Sequence, residues 1–179
     1  MDLTFDRLSD AHLIEVMQKF PNLIIYGASD NMHQFSGYIP QYLKQTGRWN
    51  VFTVNSKLDR STDFLGNTPF ETLHQLSREE PDVVKNCILY VLVADEDVNA
   101  LVRRALEVGI PCIWTHEGLE SSAGLHAAEQ KKCTYVCRDM EFTYKRLLST
   151  TNSKHTQGLT GDQMDEASAI GRVRVHQHK

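Results

Sequence analysis

Residues 87–93 read CILYVLV, seven consecutive apolar residues without a polar break. A strand with one wet face alternates apolar and polar residues. A short, uniform run suits instead a strand buried on both faces, as in a parallel sheet. Parallel neighbours need long crossovers between them, and these are usually helices. The chain provides both parts. "LIIY" (23–26), "VFTVN" (51–55), "IPCIW" (110–114) and "CTYVC" (133–137) read as further strands, rich in β-branched and aromatic residues.

Helical patterns fall between them. "SDAHLIEVMQKF" (9–20) opens on Ser9 as an N-cap and repeats Leu13, Ile14, Met17 and Phe20 at helical spacing. "FSGYIPQYLKQTG" (35–47) reads as a helix interrupted early by Gly37 and Pro40, with Gly47 placed to end it. "LGNTPFETLHQL" (65–76) is a turn leading into a short helix. In "DEDVNALVRRALEVG" (95–109) Asp95 is the expected cap, Val98, Leu101, Val102, Ala105 and Leu106 form the buried stripe, and Gly109 ends the helix. "SSAGLHAAEQKK" (121–132) and "EFTYKRLL" (141–148) complete the set.

This alternation predicts an α/β protein: a doubly wound parallel sheet with helices on both faces, in one domain. Residues 1–21 are expected to pack on it as an N-terminal helix. Residues 22–148 form the domain, and 149–179, with few large apolar residues and no sustained period, read as a flexible polar tail. Ligands on such sheets sit beyond the carboxyl ends of the strands, where strand order reverses. Attention therefore falls on the residues after Tyr26, Val54, Val93 and Trp114, and near Val136.

A net charge of −4 gives no basic field, so nucleic acid is disfavoured as a partner. No apolar run is long enough for a membrane span, and the N-terminus has neither a secretory nor a transit pattern. A cytoplasmic protein is expected. The four cysteines read as reduced core thiols. Zinc at Cys133 and Cys137 would have to recruit His116 and His126.

The turn "GASDN" (27–31) carries the first candidate chemistry. Gly27 allows a tight turn, Ala28 and Ser29 are small enough for a ligand to approach, and the next helix presents free N–H groups to an anion. The second and third glycines of a dinucleotide fingerprint are absent, and similar turns occur where no ligand binds. At the end of the second strand a dinucleotide-binding domain usually places an acid for the ribose 2′-hydroxyl. This chain offers Asn55, Ser56 and Lys57. A lysine there suits a ligand with a phosphate on its ribose, such as coenzyme A or NADP. It also suits a plain exposed loop.

Taken in order, NLIIYGASDN, YLKQTGRWNVFTVNSK, LGNTPFETLHQL, VNALVRRALEVGIPCIWTHEGL and CRDMEFTYKRL resemble the small single-domain CoA-binding proteins. These are related to the CoA-binding domain of the succinyl-CoA synthetase α subunit. The family pattern runs V-G-A-S, V-x-P-V-N-P-K, G-x-x-x-Y-x-S-L, E-A-x-x-x-G-A-K-x-x-W-x-Q-x-G and D-R-C, and the resemblance covers residues 22–148. It implies a site for CoA or a short acyl-CoA. Gly27, Ala28 and Ser29 would lie against the pyrophosphate, with Ser36 at the next helix. Asn55 and Lys57 would approach the adenosine and its 3′-phosphate, and Val93 and Ala94 would flank the nucleotide. Glu117 and Gly118 would line the pantetheine end, with Arg138 at the last strand.

The chain also departs from the pattern. Gln34, and Val93 with Ala94, stand where the family often has arginine; Thr53 and Ser56 replace prolines; His116 replaces glutamine; and Cys137-Arg138-Asp139 replaces D-R-C. Each missing guanidinium removes a charge-assisted phosphate contact worth roughly 1.5–3 kcal/mol. His116, beside Glu117, is the best general-base candidate, but no nucleophile is evidently paired with it. A non-catalytic CoA-binding module is therefore the leading expectation, with no metal. An NADP-linked oxidoreductase, or a decayed scaffold used in protein interaction, is the alternative. A homodimer or a protein partner is left open.

Overall fold

The apolar runs become the five strands of one parallel sheet in this computed structural model, which describes residues 8–92 and 97–147. The strands are β1 (Asn22–Tyr26), β2 (Asn50–Val54), β3 (Cys87–Val91), β4 (Cys112–Thr115) and β5 (Thr134–Cys137), in the order β2-β1-β3-β4-β5. β3 is buried at every position, as its unbroken apolar sequence requires. In register, Tyr26 lies beside Val54 on one side and Val91 on the other, so the strands end level at their carboxyl edge.

Between and around the strands run α1 (Asp10–Lys19), α2 (Phe35–Gln45), α3 (Leu73–Glu79), α4 (Pro81–Lys85), α5 (Val98–Glu107) and α6 (Ser122–Gln130). Residues 140–143 are helical again. The described residues up to Thr143 belong to one compact unit, and Tyr144 opens a second, of which 144–147 are helical. The segment 149–179, expected to be a tail, lies outside the described residues.

The caps follow the sequence with one displacement. Ser9 accepts from the His12 amide at the start of α1, Thr72 caps α3 and Ser121 caps α6. α5 is capped by Asp97, whose carboxylate accepts from the Asn99 amide at 2.9 Å, and not by Asp95. Both acids precede the same apolar stripe. The helix begins at the one directly ahead of Val98. α1 stops at Phe20, ahead of Pro21, and Arg48 donates to its Met17 and Gln18 carbonyls at 2.6 and 2.5 Å.

Successive side chains on a strand point to opposite faces. Ile24, Phe52, Leu89 and Ile113 face one core, shared with Leu76 of α3, Val84 of α4, Leu101 of α5 and Ala128 of α6. Leu23, Ile25, Ile88, Tyr90 and Trp114, all fully buried, alternate with those residues and face the other side. β2 lies to one side of β1 and β3 to the other, so the crossover through α2 and the one through α3 and α4 run in opposite directions. With right-handed connections the two land on opposite faces. The order therefore reverses between β1 and β3, the switch point at which such sheets take ligands.

Candidate functional site

The turn after β1 is built by backbone bonds. Gly27 has φ +86°, a left-handed conformation that favours glycine, and its amide donates to the Val54 carbonyl at 3.0 Å. Ala28 is fully buried beneath the turn. The Ser29 amide donates to the Ser36 carbonyl at 2.8 Å. That acceptor is available because of Pro40, four residues on, which has no N–H to give it. Pro40 thus sits inside a continuous α2 and does not interrupt it. Ser29 Oγ accepts from the Asn31 amide, and Asn31 Oδ1 from the His33 amide, each at 3.1 Å. A Cβ on Gly37 would stand 2.1 Å from the Asn31 carbonyl oxygen, so the turn can lie on α2 only because that residue is glycine. Gln34, the cap of α2, makes no side-chain cap bond; in the first turn the Gly37 amide donates to the Gln34 carbonyl at 2.9 Å.

The loop after β2 is tied to the first turn by one side chain. Asn55 Nδ2 donates to the Ala28 carbonyl at 2.8 Å, while its Oδ1 accepts from the Lys57 amide at 2.9 Å. Only a carboxamide performs both tasks; an aspartate would bring negative charge to the carbonyl it must meet. The Asn55 amide donates to the Phe70 carbonyl and the Phe70 amide to that of Thr53, at 2.8 and 2.9 Å, which sets the entry to α3 beside β2.

These segments enclose a cleft of about 750 Å³ at the carboxyl edge of β1 and β2, within the range of small-ligand sites. Gly27, Ser29 and Ser36 line it from the first turn, Asn55 and Lys57 from the second, Glu71 to His74 from the α3 entry, and Arg104 from α5. Five of the sequence-derived candidates therefore meet there: Gly27, Ser29, Ser36, Asn55 and Lys57. Ala28 supports the turn through its carbonyl. Val93 and Ala94 lie outside the described residues. Glu117, Gly118 and Arg138 are not among the residues lining this cleft.

Arg104 was not singled out from the sequence. It is half-buried while its neighbour Arg103 is exposed. Its position three residues after Leu101 puts it on the flank of the buried stripe, and R-A-L-E-V-G sets arginine where the resembled pattern has glutamate. Either signal could have found it. Asp30 and Glu71 also line the cleft, so cations and carboxylates share it.

The far side of the sheet edge is arranged differently. Tyr90 is fully buried, and its hydroxyl lies 2.7 Å from His116 Nδ1 and 3.4 Å from the Met140 amide, which donates to it. Burial pushes the phenol far above its ordinary pKa, so the hydroxyl keeps its proton. The hydroxyl and His116 Nδ1 share a hydrogen bond whose direction follows the imidazole tautomer. Phe35, the first residue of α2, stacks on the ring with centroids 5.1 Å apart and planes 8° from parallel.

Glu117 and Gly118 are exposed in the turn after β4, where Glu120 accepts from the Gly118 amide at 3.0 Å; amide hydrogen bonds hold the Glu120 carboxyl below its ordinary pKa. Arg138 Nη2 reaches the Leu8 carbonyl at 3.5 Å. The thiols of Cys133 and Cys137 donate to the carbonyls of Ile110 and His116, and burial pushes both up to about 11. Among the described residues no three His, Cys, Asp or Glu side chains are grouped to hold a metal, and no helix is long and apolar enough to cross a membrane.

A doubly wound parallel sheet with a glycine turn and a cleft at its carboxyl edge defines a Rossmann-like α/β protein. Within that class the chain belongs to the CoA binding domain family, which it matches over residues 22–142. Solved structures agree on the fold. A protein from Thermus thermophilus superposes with a TM-score of 0.68 at 18% identity, covering 78% of this chain and 99% of its own. A hypothetical protein from Pyrococcus horikoshii gives 0.68 at 22% identity, covering 80% and 94%. A conserved hypothetical protein from Pyrococcus furiosus gives 0.56 at 21%, covering 70% and 99%. No curated protein matches the chain in sequence.

Proposed function

We propose that the cleft binds coenzyme A or a short acyl-CoA, and that the protein is a non-catalytic, cytoplasmic module for that ligand. The observation that carries this reading is the cleft itself: it lies at the carboxyl edge of β1 and β2 in a CoA-binding family domain and is lined by a glycine turn, two small serines and two cations. The turn from Gly27 to Ser29 and the first amides of α2 take the pyrophosphate through N–H donors, and Ser36 lies close enough to add its hydroxyl. Lys57 takes the ribose 3′-phosphate. Asn55 holds these two loops in register. The pantetheine arm leaves toward β4 and β5, where Glu117, Gly118 and Arg138 stand.

Calorimetric titration tests this. CoA is expected to bind in the micromolar range and dephospho-CoA more weakly. Lys57→Ala should reduce the affinity for CoA by roughly tenfold and leave dephospho-CoA unchanged, because only CoA carries the 3′-phosphate. Lys57 and Arg104 in one cleft also suit the 2′-phosphate of NADP. NADP binding more tightly than CoA would replace the first reading with the second.

A further inference from the structure

We propose that Arg104 is the counter-charge for the diphosphate in this cleft, a role separate from that of Lys57; the proposal rests on the nucleotide reading of the site. Residues 27–36, GASDNMHQFS, contain no lysine or arginine. What this segment adds to the cleft besides Gly27, Ser29, Gln34 and Ser36 is the carboxylate of Asp30. Backbone amides there face a doubly charged group next to a fixed negative charge. The cation must come from another element.

Lys57 follows β2 and stands with the α3 entry on one side of β1. Arg104 approaches from α5, the helix after β3, and β3 is the neighbour of β1 on the other side. α5 starts at the carboxyl edge of the sheet and runs back along it. Helical Cα–Cβ bonds tilt toward the helix N-terminus, so this side chain is directed up to the edge where the Gly27 turn lies. Its planar fork matches two oxygens of a diphosphate, which a lysine meets only as a point charge. Glu71 and Asp30 are left for hydroxyl and amino groups of the ligand. The diphosphate and the ribose phosphate are thus read by different cations on different elements, Arg104 on α5 and Lys57 in the loop after β2.

The test compares CoA, dephospho-CoA, ADP and AMP on the full chain and on Arg104→Gln, Arg104→Lys and Lys57→Ala, with each variant's fold checked by circular dichroism and melting. Arg104→Gln should weaken CoA, dephospho-CoA and ADP by a common factor, roughly ten- to a hundredfold, and change AMP by less than about twofold. Arg104→Lys should recover part of that loss. Lys57→Ala should separate CoA from dephospho-CoA instead. If CoA binds and Arg104→Gln binds the diphosphates as the parent does, the Arg104 assignment is wrong and the CoA reading stands. If the parent binds ADP but not CoA, and Arg104→Gln loses ADP, the assignment stands and the CoA reading falls. Equal losses for AMP and ADP would mean that Arg104 shapes the cleft without meeting the diphosphate, which overturns the assignment. A parent chain that binds none of the four overturns both.

Discussion

The carboxyl edge of the sheet has two halves that use hydrogen bonds in opposite ways. Beside β1 and β2, the loops bond to each other and leave a hollow of about 750 Å³ between them. Beside β4 and β5, the side chains turn inward: Tyr90, His116 and Met140 satisfy one another, Phe35 covers the imidazole, and the Cys137 thiol is buried. A closed polar network of this kind rigidifies its half of the edge. The difference teaches that binding capacity on this fold depends on where the backbone is prevented from satisfying itself.

The largest effect is expected from Gly37→Ala. Its new methyl would meet the Asn31 carbonyl oxygen at 2.1 Å, backbone against side chain, so the turn must lift away. Stability should fall by about 1–3 kcal/mol, as for overpacking, and nucleotide affinity should fall with it. A variant that melts and binds like the parent would show that the first turn is not held against α2. Asn55→Asp comes next. It removes the donor to Ala28 and should cost about 1–2 kcal/mol in denaturant titration, together with nucleotide affinity.

Tyr90→Phe probes the other half. It strips a partner from both His116 and the Met140 amide, at a cost of about 1–3 kcal/mol, and should leave binding of adenosine bisphosphate unchanged. A matching loss of binding would join the two halves into one site. A pH titration gives a smaller effect. Cys133 and Cys137 hold their protons to about 11 in the fold, against 9.0 for an ordinary thiol. The folded state binds these protons more tightly, so the contribution is complete below about pH 9 and is lost as pH rises toward 11. Urea midpoints measured across that interval should decline, and thiol reagents at neutral pH should label neither cysteine before unfolding. Smallest of all, Glu117→Ala should change adenosine bisphosphate binding by less than about twofold. Any larger dependence should appear only with ligands that carry the pantetheine arm.

The strands and their parallel arrangement were legible because burial on both faces leaves an unbroken apolar run such as 87–93, and the helices because their stripes recur at a fixed spacing. What sequence could not give was partnership across long separations. Asn55 was visible as a residue near a ligand, yet its carboxamide bonds to a carbonyl 27 positions away. Arg104 depends on how α5 is rotated against the sheet and on the tilt of its side chain. The choice between Asp95 and Asp97 as cap turned on where the chain enters the helix, which two similar acids do not reveal.

Pro40 has a consequence for anyone wishing to make this protein tougher. A proline inside a helix costs about 3 kcal/mol relative to alanine, so Pro40→Ala is an obvious thermostabilising substitution. It would also create an N–H four residues after Ser36, competing with Ser29 for the carbonyl that anchors the turn. Melting temperature and ligand affinity should then move in opposite directions. Selection for heat resistance alone would favour a sturdier chain with a slacker grip, and screening both properties together is the way to see the trade.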